Sequence, residues 1–141
     1  MNDARILTVV IACMLLPACS APLSEKQPED LATSLHRIAV RATEAYKVAG
    51  TTGLIAESRE CYRTNGPTFG CMDYDIVASY IARTYPEPSE QEGYFSSAEF
   101  LQRARPVVGE AGWSMDTANA YLQFADDAAR DAVDPILKDK Q

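Results

Sequence analysis

The sequence predicts an all-α fold, a small bundle of four or five helices with one disulfide. Three observations carry that expectation. Apolar residues recur at spacings of three and four through most of residues 30–141. No run alternates polar and apolar long enough to argue a strand, and residues 69–74 are the only short candidate. Once an N-terminal leader is set aside, the cysteines reduce to a single pair.

The first helix opens at Asp30 and places Leu31, Leu35, Ile38, Ala42, Ala45, Tyr46 and Ala49 on one face before Gly50 stops it. Thr52 can cap a second, which uses Leu54, Ile55, Ser58, Cys61 and Tyr62 and ends at Asn65-Gly66. Asn65-Gly66-Pro67 is strong turn chemistry, because Asn and Gly tolerate positive φ and Pro cannot continue a helix. Asp73 is the expected cap of a third helix carrying Ile76, Val77, Tyr80, Ile81 and Thr84, ended by Pro86. Ser96-Ser97-Ala98-Glu99 has the capping-box pattern and opens a fourth through Phe100, Leu101, Ala104 and Val108, with Pro106 expected to kink or end it. Ser114 or Asp116 caps a fifth, with Ala118, Tyr121, Leu122, Ala125, Ala129, Ala132 and Val133 inward and Asp134-Pro135 as its break.

The chain has 141 residues, 47% apolar and 23% charged, with 13 basic against 20 acidic side chains and a net charge of −7. That length suits one small domain. The apolar share excludes a wholly disordered chain, and a single long apolar run excludes a multi-span membrane protein. The negative charge repels phosphates and argues against nucleic-acid binding.

That one run, Ile6 to Leu16, is shorter than the roughly 20 residues a membrane-spanning helix needs and fits the apolar core of a signal peptide. Leu16-Pro17-Ala18-Cys19 follows it, a small residue directly before a cysteine. In this position the segment resembles the lipobox of bacterial lipoproteins. The resemblance implies that residues 1–18 are removed and that Cys19 carries lipid. It also implies a periplasmic protein anchored to the membrane, with Ser20 favouring the outer membrane. The leader's Met1-Asn2-Asp3-Ala4-Arg5 start carries a single Arg offset by an Asp, less basic than is usual. A core helix of a cytosolic protein is the competing interpretation, set against a Pro-Ala-Cys-Ser-Ala-Pro stop unlike a core element. Residues 19–29, polar with two prolines, then form a tether, and 30–141 the helical domain.

Of four cysteines, Cys13 leaves with the leader and Cys19 takes the lipid, so Cys61 and Cys71 remain for a disulfide in an oxidising compartment. Two free thiols or a metal pair are the alternatives. A separation this wide is not a Cys-x-x-Cys motif, and the only histidine, His36, lies far upstream.

His36 has no evident nucleophile beside it, and the pairs Glu57/Glu60, Asp73/Asp75 and Asp126/Asp127 read more simply as solvated faces or caps than as catalytic carboxylates. No Gly-rich phosphate loop, zinc spacing or calcium loop is present, so neither a metal nor another cofactor is expected and a non-enzymatic role is. Charge is uneven. Residues 31–63 hold five basic and three acidic side chains, a balance of +2, whereas 73–99 hold six acidic and one basic, a balance of −5. The second stretch also carries clustered aromatics, so Tyr74, Asp75, Tyr85, Glu87, Glu90, Glu92 and Tyr94 are the expected contacts for a basic protein partner. A solvated loop beside core tyrosines is the plainer account of the same residues.

Met72 to Glu92, with Tyr74-Asp75 and Tyr80 to Tyr85, is faintly similar to the type VI secretion amidase-immunity family over about twenty residues. That similarity implies an inhibitor of a cell-wall hydrolase, and no inhibitory residue transfers with it. The expected role is thus a lipid-anchored periplasmic module that binds protein, with an accessory lipoprotein of an envelope or secretion complex as the alternative.

Overall fold

A computed structural model describes residues 28–87 and 93–138; Cys19 with its tether up to residue 27, and Glu90 and Glu92, lie outside them. Four α-helices follow one another: α1 (Pro28–Asn65), α2 (Phe69–Thr84), α3 (Ser97–Glu110) and α4 (Met115–Lys138), with no strand among the described residues. The all-α bundle expected from periodicity is what the chain forms.

α1 is two arms. Ala49 (φ −140°, ψ 17°) and Gly50 (φ 60°, ψ −149°) leave helical geometry, at the glycine where the apolar pattern predicts a stop. Arg41 Nε donates to Glu57 Oε2 at 2.6 Å although 16 residues separate them, a separation that would span ~24 Å along a straight helix. The arms therefore fold back on one another. Glycine is required at the bend by its backbone conformation, and a side chain there would also have to displace the tip of Glu87. The backbone of Gly50 lies at positive φ, and a Cβ there would come within 1.9 Å of Glu87 Oε2.

α2 begins five residues earlier than expected. Thr68, not Asp73, is its cap, with the Thr68 side chain accepting from Cys71 N–H at 3.4 Å. Gly66, at φ 70°, completes the turn in so few residues that Phe69 to Tyr74 is helical and no strand candidate survives. The Cys61–Cys71 disulfide is formed and joins the end of α1 to the first turn of α2, with Cα atoms 5.6 Å apart. Residues 71–78 are buried without interruption, so α2 is the central helix.

Neither internal proline breaks its helix. Pro106 and Pro135 stand on exposed faces of α3 and α4. The carbonyls they leave without donors belong to Gln102 and Asp131, both exposed, so water can satisfy them. Between these helices the chain turns in a Schellman motif: Gly112 at φ 66°, Trp113 N–H donating to Val108 O and Gly112 N–H to Gly109 O. Ser114 then caps α4 through Thr117 N–H at 3.1 Å, leaving Asp116 in the first turn.

The core runs through Leu35, Leu54, Met72, Val77, Ile81 and Val133, all fully buried. Alanines at 39, 42, 125 and 129, also buried, let α1 and α4 approach closely. α1, α2 and α4 pack mutually. α3 rests on α2 and barely meets α4 beyond their connecting turn.

Candidate binding cleft

Several residues expected to meet a partner lie inside the bundle. Tyr74 is buried and Asp75 wholly so, because α2 is covered on every side over residues 71–78, and Tyr85, just past the end of α2, is buried as well. A partner of the folded domain cannot touch them. Asp75 instead ties three elements together. Its Oδ1 accepts from Ser58 Oγ at 2.5 Å and its Oδ2 from Arg103 Nε at 2.6 Å. Tyr94 closes the knot: its hydroxyl lies 2.8 Å from Ser58 Oγ, its carbonyl accepts from Arg103 at 3.0 Å, and its ring lies 4.1 Å below the guanidinium. Burial, and then the Asp75 charge, push the neighbouring Tyr62 phenol above its ordinary value.

Glu87 is also turned inward. Its carboxylate lies on the α1 bend and accepts from Thr51 N–H at 3.4 Å, facing the start of the second arm, where the helix dipole favours an anion. Tyr85 is held by Tyr46, whose hydroxyl donates to the Tyr85 carbonyl, and by Asp134. Asp134 accepts from Tyr80 and Tyr85 hydroxyls at 2.6 and 2.9 Å and pairs with Lys138 at 2.5 Å. Burial opposes its charge, but these donors outweigh burial and hold its carboxyl below the usual value. The Tyr85 phenol is pushed up to about 12, by burial first and then by Asp134. Asp73, the other interior carboxylate of α2, accepts from Tyr121 at 2.5 Å.

Apolar surface instead concentrates where α3 and α4 diverge. The cleft between them is floored by α2 and has two lobes, of about 400 and 280 Å³, which share Leu101 and Leu122. The larger lobe is open. Ile76, Phe95 and Phe100 line it, the Arg83–Asp126 pair (2.6 Å) stands at its edge, and Ser79 sits on its floor. The Ser79 hydroxyl is buried with no hydrogen-bond partner. The smaller lobe is more enclosed and is walled by Met72, Val108, Trp113, Met115 and Tyr121, with Arg105 and Asn119 as its polar members. The Trp113 ring packs at a tilt against Phe69 and Tyr121, with centroids 4.9 Å away in both cases. Leu101 is 50% exposed and Met115 71%.

Sequence reasoning missed this cleft because it placed Phe100, Leu101, Ala104 and Val108 together on one packed stripe and passed over Val107, which is the buried valine. The available signal was width: Phe100, Leu101, Ala104, Val107 and Val108 cover more of the helix circumference than one neighbour can bury. His36 is exposed, and among the described residues no group of three or more His, Cys, Asp or Glu is placed to hold a metal. No helix of the described residues is long and apolar enough to cross a membrane. No protein family, curated protein or solved structure matches the chain.

Proposed function

We propose that this chain is a lipid-anchored periplasmic module that binds another protein, without catalysis, through the larger lobe of the α3–α4 cleft. One observation carries it: an open apolar cleft lined by Ile76, Phe95, Phe100 and Leu101, with the Arg83–Asp126 pair at its edge. Apolar patches with polar rims are characteristic of docking surfaces. The lipobox-like Leu16 to Cys19 segment supports the anchor, and the outer membrane is the destination that Ser20 favours. The particular form suggested by the similarity over Met72 to Glu92 is an immunity protein against a basic cell-wall hydrolase. The described part of that stretch, Met72 to Glu87, is mostly core, so the likeness there concerns the scaffold more than the contact surface. A structural or accessory lipoprotein of an envelope or secretion complex would use the same cleft.

Photocrosslinking in the envelope tests this. A benzophenone side chain replacing Leu101 in the full chain should give a discrete protein adduct that Phe100→Glu abolishes, while the same group at Val48, exposed on α1, gives none. Absence of any Leu101 adduct, or an equal one at Val48, removes the docking role. Cys19→Ser should release the chain from membranes; unchanged fractionation removes the anchor and leaves the cleft untouched.

A further inference from the structure

The smaller lobe has a chemistry of its own. Its walls are Met72, Val108, Trp113, Met115 and Tyr121, a thioether and aromatic lining of the kind that accepts an alkyl chain. One charged side chain lines it, Arg105. Among the described residues, every other cation on α2, α3 and α4 has a carboxylate partner: Arg83 with Asp126, Arg103 with Asp75, Arg130 with Asp127, Lys138 with Asp134. Arg105 has none, and the nearest carboxylates in sequence, Glu99 and Glu110, do not line the lobe. Asn119, across the cleft on α4, adds a second polar group to the lining. The Schellman turn fixes Trp113 at one end, so the lobe is set by backbone geometry before anything enters it.

We propose that the smaller lobe binds a single-chain amphiphile with an anionic head, the alkyl chain lying against Trp113, Met115 and Tyr121 and the head meeting Arg105. An unpaired guanidinium beside an apolar cavity is complementary to a carboxylate or phosphate carried on hydrocarbon. The site is separable from the docking role of the larger lobe, since Leu101 and Leu122 are shared but Arg105 and Trp113 are not.

Trp113 is the sole tryptophan and reports directly on the lobe. The full chain carrying Cys19→Ser, so that no attached acyl group competes, is titrated below micellar concentrations with decanoate, decanol and decyltrimethylammonium. Decanoate should give a saturable change in Trp113 emission and bind at least tenfold more tightly than the cationic amphiphile. Lengthening the chain from octanoate to decanoate should tighten binding by about fourfold per methylene. Arg105→Glu, at an exposed position where folding is not at stake, should reverse the preference towards decyltrimethylammonium. Met115→Glu, which removes an alkyl contact and adds a like charge, should weaken decanoate more than decanol. No saturable signal with decanoate, equal affinity for all three amphiphiles, or a preference that Arg105→Glu leaves unchanged would each overturn the assignment.

Discussion

Around Asp75 the protein places charge where a core is expected: a wholly buried carboxylate, a buried serine and an arginine that is 16% exposed, joined by short hydrogen bonds. Between α3 and α4 it does the reverse, leaving leucine, methionine and phenylalanine side chains on a surface that their neighbours do not cover. The knot and the cleft lie on opposite sides of one short helix, with Arg103 facing the first and Leu101 the second. Buried polar groups hold only when their partners are in place, so the knot fixes where α3 sits against α1 and α2. With α3 so held, the gap to α4 stays open. Rigidity on one side is what permits vacancy on the other.

The contrast can be broken most forcefully at Asp75. Asp75→Ala strands Arg103 and Ser58 without their acceptor and should cost ~3–5 kcal/mol in denaturant unfolding. The Cys61→Ser, Cys71→Ser double variant should lose about 3 kcal/mol, because it frees a short ring in the unfolded chain. Gly50→Ala puts a side chain into a glycine-only conformation against Glu87 and should cost ~1–3 kcal/mol. Removing the clash with Glu87→Ala should recover only part of that loss, since the backbone strain remains.

Titration sharpens the same picture at both ends of the pH scale. The folded Asp134 carboxyl is held below its ordinary value, so its contribution is complete above the unfolded carboxylate range and is lost as pH falls through it. Asp134→Asn should flatten the acid limb of the stability profile. Tyr62, Tyr74, Tyr80, Tyr85 and Tyr121 all ionise later in the fold than in the unfolded chain. Their contribution is intact below pH ~10 and declines as pH rises towards their folded values, near 12 for Tyr85. Tyrosinate absorbance should therefore rise together with unfolding, not ahead of it. The smallest effects belong to the cleft: Leu101→Ser and Met115→Ser should stay within ~0.5 kcal/mol of the parent. If Leu101→Ser proved as costly as Asp75→Ala, the cleft would be core and the distinction would fail.

Where the sequence was informative, the signal was local. The stop at Gly50, the cap at Ser96, the cap at Ser114 and the pairing of Cys61 with Cys71 each rest on residues within a turn or two of one another. It misled where a local rule met a tertiary override. Asp73 has the composition of a cap, yet Thr68 captured the helix start and left Asp73 to bond Tyr121, 48 residues away. Pro106 and Pro135 read as breaks, but solvent at Gln102 and Asp131 removes most of the cost of helix continuation. The acidic and aromatic cluster from Tyr74 onward looked like a surface because its partners, Ser58, Arg103, Tyr46 and Asp134, are distant in sequence. The cleft escaped notice for a related reason: emptiness between two helices is a property of their separation, and no residue encodes it singly.

Cys61 and Cys71 are ten positions apart, with a Gly-Pro turn between them. Ends so close collide on the order of 10–100 ns in a flexible polypeptide, so the supply of oxidant, rather than assembly of the bundle, sets how quickly the two sulfurs join. An elbow between the first two helices can thus be welded during early collapse, while the rest of the molecule is still searching.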